Sequence, residues 1–384
     1  MAKKRRQKQT DGVFLRPEGD LKRPRSPQVM IICLLFALLL TMGLINLYSA
    51  SIGAGYFKGQ IKSLALTLSA FILFGWVIPI RQINAYAYWF FGFICILLVI
   101  VDLTGRTAGG AQRWISLGPA SFQPSEFAKL AVVMTVARFF SSNRQDSPYT
   151  IRDLLPLAAI ISVAFFLIVT QPDLGTAGVC CLIAFCQLAF VRIDLKSIGI
   201  VVSAVPIIVA MAWNFYLMPY QRLRVLNFVS PELDPRNSGY HALQSLIAVG
   251  SGGVFGKGFT MGTQTHLHFL PERHTDFIFS VFAEEHGFWG CALIFIIFGL
   301  MTYVALDIAR HARDTFSAML AVGVAALIFL EFSINVAMVM GWFPVVGIPL
   351  PLFSFGGSAM LTVCVSLGLL ISVNRANSGA SKRI

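Results

Sequence analysis

The chain is poor in charge. Only 12% of its 384 residues are Asp, Glu, Lys or Arg, whereas a soluble domain carries about a quarter. Hydrophobic residues make up 56%. Apolar runs of about 20 residues, the length needed to cross hydrocarbon, recur along it. The short alternating strands of a transmembrane barrel are missing. The chain therefore reads as an all-α polytopic membrane protein. Cysteines are few and odd in number: Cys33, Cys95, Cys180, Cys181, Cys186, Cys291 and Cys364. All lie within apolar runs, which excludes a disulfide framework, and none has zinc-site spacing. They read as small packing residues. A short charged segment with a cleavage site is also lacking. The first apolar run begins near Val29 after a long basic tail, the pattern of an uncleaved first span.

Charge of one sign is in excess. The net charge is +12, but the basic residues cluster at the ends of apolar runs, as membrane topology requires. Nucleic acid is therefore not the expected partner. Ten spans are read at roughly 29–49, 60–79, 84–103, 125–140, 153–170, 174–191, 196–218, 278–305, 316–340 and 355–373. With the basic tail in the cytoplasm, about two thirds of the lysines and arginines fall on that side, the expected bias. Residues 1–28 are then a disordered cytoplasmic tail, 29–373 the membrane domain and 374–384 a second cytoplasmic tail. The segments 104–124, 341–354 and the large loop 219–277 converge outside. Matching broken helices in two halves, a mark of many transporters, are not visible.

Polar chemistry is concentrated in a few places. In Gln123-Pro-Ser-Glu-Phe-Ala-Lys129, Pro124 starts a helix and Ser125 or Gln123 is expected to satisfy first-turn amides. Glu126 and Lys129 then share a helix face. Intramembrane charges pair or face a cavity, so this is either a structural ion pair or a cavity floor. Asp173 in Gln171-Pro-Asp-Leu-Gly-Thr176 reads first as a turn and cap residue. Gly250 to Gly258 tempts a phosphate-loop reading. Ser251 stands at the first glycine position and Gly258 follows Lys257, so it is not a nucleotide loop. Glycine backbone beside a lysine still permits close phosphate approach, or simply a turn.

The densest polar stretch is Thr263 to Gly287. His266, His268, His274 and Asp276 match none of the strong zinc signatures. Asp276 stands where the loop enters the eighth span, placed either as a general base or as the cap of that helix. One of Glu284 and Glu285, deeper in the same helix, is expected to face the bundle interior. Arg113, Arg222, Arg224, Arg236 and Lys257 lie outside, against the topology bias. An anionic headgroup accounts for them, and so does pairing with Glu232, Asp234 or Glu272. Three prolines and Gly356-Gly357 break the backbone across 344–358; such backbone survives at membrane depth only inside protein or along a wet cavity.

Taken together, these segments resemble the SEDS family (shape, elongation, division and sporulation). The matching pieces are Arg113-Trp-Ile-Ser-Leu-Gly118, Gln123 to Lys129, Gln171 to Thr176 and Gly239-Tyr-His-Ala-Leu-Gln-Ser245. They continue with Gly250 to Gly258, Phe269-Leu-Pro-Glu-Arg-His-Thr-Asp-Phe277 and Gly347-Ile-Pro-Leu-Pro-Leu-Phe-Ser-Phe-Gly-Gly357. The last two are similar to the RodA branch rather than the FtsW branch, with Phe355 where the family commonly has Tyr. The resemblance implies a peptidoglycan glycosyltransferase that uses lipid II at the outer membrane face during cell elongation. It also implies a class B penicillin-binding protein as partner, with other membrane proteins of the elongation machinery. Asp276 aligns with the family's essential loop aspartate, and Glu126 and Lys129 with its intramembrane pair. Arg113, Glu126, Lys129, Asp173, Arg222, Gln244 and Lys257 are the candidate substrate-binding residues. A divalent cation, Mg or Mn, is a candidate for neutralising the pyrophosphate, and no organic cofactor is expected.

Overall fold

The structure is a computed structural model that describes residues 27–52, 55–108, 111–117, 120–229, 238–263 and 272–378. The expected tail 1–28 falls almost wholly outside these residues, as do Arg236, Glu232, Asp234, His266 and His268. The expected tail 374–384 instead begins as helix, the last span running on to Asn377 with Asn374 and Asn377 buried. Among the described residues ten helices form the bundle: α1 (Pro27–Ala50), α2 (Tyr56–Val77), α3 (Ile80–Thr104), α4 (Pro124–Ser142), α5 (Ile151–Thr170), α6 (Leu174–Leu188), α7 (Leu195–Tyr216), α10 (Ile278–Arg310), α11 (Thr315–Val339) and α12 (Gly357–Asn377). Eight are long and apolar enough to cross a membrane; the exceptions are α4 and the 15-residue α6. Two shorter helices, α8 (Pro219–Val229) and α9 (Ser238–Ser251), occupy the large loop. A small antiparallel sheet of β1 (Arg106–Ala108), β2 (Ala111–Leu117) and β3 (Ala120–Phe122) fills the α3–α4 connection.

Helix α4 carries Glu126, Lys129 and Arg138 in 19 residues, yet it is buried along nearly its whole length. It is the hub of the bundle, packed by α3, α6 and α11. Its charges therefore meet protein rather than lipid, which removes much of the cost of placing them there. Helix α7 is the least buried span, at 6%. Helices α2 and α7 each end in a π turn, Leu73–Val77 and Ala212–Tyr216.

Alternate connections cluster at opposite ends of the bundle. Gln28 donates to Asp307, and the Arg313 amide to Asn377 Oδ1 (3.1 Å), joining the start of α1 to the ends of α10 and α12. At the other end Ser354 Oγ donates to the Thr275 carbonyl (2.6 Å) and the Phe355 amide to the His274 carbonyl (2.8 Å). The broken segment before α12 is thus wedged against the loop that carries Asp276. Ile348, Leu350, Leu352 and Phe353 on it are buried, the protein-lined setting such backbone needs.

The eighth span is not one continuous helix. Gly287 takes φ 63° and ψ −159° inside α10. The glycine-rich segment after α9 crosses at that break. Lys257 N donates to the Glu284 carbonyl and Gly258 N to the Glu285 carbonyl, both at 3.0 Å, while Phe288 N donates to the Gly253 carbonyl at 2.9 Å. These bonds replace the helical ones lost at the kink. Gly256 has φ 77°, and a Cβ there would strike the Glu285 carbonyl. A Gly256→Ala variant is expected to lose at least about 1–3 kcal/mol, read as a lower unfolding midpoint in detergent.

Candidate functional site

The carboxylate of Asp173 caps α6, accepting from Thr176 N at 3.3 Å. It also accepts from Ser125 Oγ at 3.3 Å and lies 3.6 Å from Arg113 Nη1. Capping and charge pairing coexist there. Arg113 further donates through Nε to the Gln171 carbonyl (3.2 Å) and through Nη2 to that of Pro172. These ties fix the guanidinium at the wall of a cavity of about 300 Å³ between α6, α8 and the broken segment. Arg224, Val346 and Ile348 line the same cavity.

Asp276 stands at the edge of this cavity. A Cβ on Gly347, which has φ 73°, would lie 3.2 Å from Asp276 Oδ2, so the carboxylate faces the backbone between Val346 and Ile348. It does not cap α10: that position falls on Phe277, which makes no capping bond. The Asp276 backbone is held by Asn335 Nδ2, which donates to its carbonyl (2.9 Å) and to that of Ile348 (2.7 Å). Burial raises the Asp276 carboxyl to about 6, and Glu272 and Asp173 add to the rise while Arg224 and Arg113 oppose it. A base with that value is ionised at neutral pH yet basic enough to take a proton. Activity limited by Asp276 is expected to fall as pH drops through about 6. A Glu272→Gln variant removes a negative neighbour, so the acid limb of its log kcat/KM profile is expected to move to lower pH.

Glu126 and Lys129 meet at 2.8 Å, but they are not a pair alone. Lys129 also donates to Glu331 of α11, and all three side chains are buried. Glu331 is the functional candidate that motif reading misses. It is the only charged residue of α11, which was the available signal. Its partner lies 202 residues away in sequence, beyond the reach of spacing rules. Ser125 and Gln123 do not cap α4 with their side chains. The Gln123 amide instead donates to Ser358 Oγ (3.0 Å) at the start of α12.

The remaining candidates lie elsewhere. Lys257 Nζ is engaged by Glu284 Oε1 (2.7 Å) and Thr263 Oγ1 (2.8 Å), and the backbone amides of Lys257 and Gly258 are spent on α10 carbonyls. Both Glu284 and Glu285 are buried, rather than one of them; Glu285 accepts from Ser49 of α1. Arg222 donates to the Asn214 carbonyl (3.1 Å) at the end of α7, and its neighbour Arg224 lines the cavity in its place. Gln244 is half-buried on α9. His274 stacks on Tyr56 with ring centroids 3.8 Å apart, and burial lowers its pKa.

The site is thus a charged cavity at one end of a polytopic helical bundle, with a raised carboxylate at its edge, while the buried Glu126–Lys129–Glu331 triad lines no part of that cavity. The chain belongs to the cell-cycle protein family of FtsW, RodA and SpoVE, whose profile matches residues 29–379. It is similar to the peptidoglycan glycosyltransferase MrdB of Escherichia coli K12, at 38% identity over 92% of this chain and 95% of that protein. The RodA glycosyltransferase of Treponema pallidum is 33% identical over 74% of this chain and 82% of its own length. Among solved structures, one described as "Structural coordination of polymerization and crosslinking by a peptidoglycan synthase complex" matches with TM-score 0.78 and 29% identity. It covers 90% of this chain and 97% of that one. The Thermus thermophilus rod shape determining protein RodA matches with TM-score 0.65 and 28% identity, over 90% and 96% of the two chains.

Proposed function

We propose that the chain is a peptidoglycan glycosyltransferase of the RodA type. It polymerises lipid II at the outer face of the cytoplasmic membrane during elongation, both of its termini being cytoplasmic. Its membership of the family and its glycosyltransferase relatives support the reaction class. The observation that carries the site is Asp276: a carboxylate raised to about 6, at the edge of a cavity lined by Arg113 and Arg224.

Asp276 takes the proton of the acceptor sugar hydroxyl as that oxygen attacks the anomeric carbon of the donor. The bond from that carbon to the polyprenyl pyrophosphate breaks, and the pyrophosphate leaves with the electron pair. Arg113 and Arg224 face the developing negative charge, where fixed donors are most effective. Arg113 needs no reorganisation, since three backbone and side-chain acceptors already hold it. The prenyl tails lie in grooves between apolar helices.

A divalent cation fits this site only as an ion brought by the donor. Among the described residues no three His, Cys, Asp or Glu side chains converge on one point. Mg²⁺ commonly binds through one or two carboxylates plus substrate phosphates, and Asp276 is the carboxylate available here. Such an ion supplies charge neutralisation to the pyrophosphate. The partner proposed is a class B penicillin-binding protein, in keeping with the synthase complex that the fold resembles.

The test uses purified protein, with and without that partner, supplied with lipid II while the partner's transpeptidase is inhibited. Glycan polymer from the wild type supports the reading. Transport of lipid II across liposomes with no polymer overturns it in favour of a flippase, and silence in both assays with an active partner present leaves a scaffold.

A further inference from the structure

The described part of the chain has a second cavity, at the end of the bundle opposite Asp276. It measures about 220 Å³ and lies between the last turns of α4, α6 and α10 and the first turns of α11. Its walls are apolar, with Phe140, Leu306, Met319 and Val322 among them. Three arginines from three different connections line it: Arg144 after α4, Arg192 after α6 and Arg310 at the end of α10. Asp146 is the one acidic residue among the lining groups, so the cavity carries an excess of two positive charges.

The cavity is preformed. Tyr149 N donates to the Arg192 carbonyl (2.9 Å) and Asp194 N to the Tyr149 carbonyl (3.0 Å), which locks the α4–α5 and α6–α7 connections together. The Tyr149 ring is buried edge-on against Phe140, with centroids 5.1 Å apart. Behind the cavity, Gln187 Nε2 donates to the Val133 carbonyl (3.1 Å) and the Met319 carbonyl (2.9 Å), tying α6 to α4 and α11.

We propose that this cavity binds an anionic phospholipid of the adjacent leaflet. The headgroup phosphate meets Arg144, Arg192 and Arg310, and an acyl chain lies along Phe140, Leu306, Met319 and Val322. The arginines sit at the ends of membrane spans, the depth at which lipid phosphates lie. Basic pockets between spans suit anionic headgroups, and guanidinium is matched to phosphate geometry. The chain's own tails are excluded by charge: residues 1–26 carry nine Lys and Arg against three acidic residues, and 379–384 add Lys382 and Arg383. An acidic peptide would match the charge but leave the apolar wall without a partner. That this leaflet is the cytoplasmic one rests on the orientation proposed above; the binding itself does not.

The test is photolabelling of the purified full-length protein in neutral detergent with diazirine-bearing phosphatidylglycerol, the adducts mapped by mass spectrometry. Adducts are expected on residues 140–149, 189–192 and 306–322. Unlabelled phosphatidylglycerol should displace them, whereas phosphatidylcholine and inorganic phosphate should not. The triple variant Arg144→Gln, Arg192→Gln, Arg310→Gln should lose at least about tenfold in labelling, given the worth of basic residues near anionic lipid. Ala189→Phe, which adds bulk at the rim of the cavity and leaves its charge intact, should also reduce labelling, and it covers the case in which the triple variant fails to fold. Labelling spread evenly over lipid-facing helices, or unchanged in Ala189→Phe, overturns the proposal. Displacement by an acidic peptide but not by phosphatidylglycerol also overturns it, as does displacement by inorganic phosphate alone.

Discussion

Replacing Asp276 with asparagine is expected to cut glycan polymerisation by about 10²–10⁴-fold, the usual contribution of a positioned general base. The protein should remain folded, because the structural bond at this residue runs from Asn335 to the backbone carbonyl, which asparagine keeps. Its unfolding midpoint should in fact rise. The folded-state pKa, about 6, lies above the ordinary 3.8. Ionised Asp276 therefore weakens the folded state as pH climbs from 3.8 through 6, and the neutral amide escapes that loss. Thermal unfolding at neutral pH, run beside the lipid II assay, separates the two effects. A variant that polymerises at wild-type rate would remove Asp276 from the chemistry.

The second large effect is expected at Lys129. Its ammonium serves two buried carboxylates, so the triad holds one positive charge against two negative ones. Lys129→Met leaves both carboxylates without a cation, and breaking a buried pair in this way costs about 3–5 kcal/mol. Glu331→Gln is expected to cost far less: it keeps a hydrogen-bond acceptor for Lys129 and leaves a one-to-one charge pair with Glu126. Unfolding midpoints of the two variants in detergent, with membrane expression level as a second readout, test this asymmetry. Equal losses would mean that charge balance does not govern the triad.

The spans were legible because length and hydropathy alone place them, and even α4, with three charges, was found through Pro124 at its start. Its role as the hub was not, since burial on all sides depends on which helices surround it. Gly287 looked like any glycine in an apolar helix; its kink is held by the backbone donors of Lys257 and Gly258, and such tertiary bonds leave no periodic trace. Asp276 was legible from its place at the entry to a span. Its capping alternative fell only when the helix began one residue later. Arg222 and Arg224 were indistinguishable on charge, and two residues of helical rotation decide which one reaches the cavity. Lys257 was read toward a phosphate or a simple turn; its ion pair with Glu284 was not legible, because it forms across a fold-level crossing.

One feature of α11 ties the site to the interior. Glu331 and Asn335 are one helical turn apart on the same face, the first gripping Lys129 and the second gripping the Asp276 backbone. The position of the base therefore rests on the seating of α11 within the bundle. A membrane-soluble compound that shifted α11 against α4 would drag Asp276 with it while the cavity stayed empty of inhibitor. Resistance to such a compound would arise at positions 331 and 335, neither of which lines the cavity.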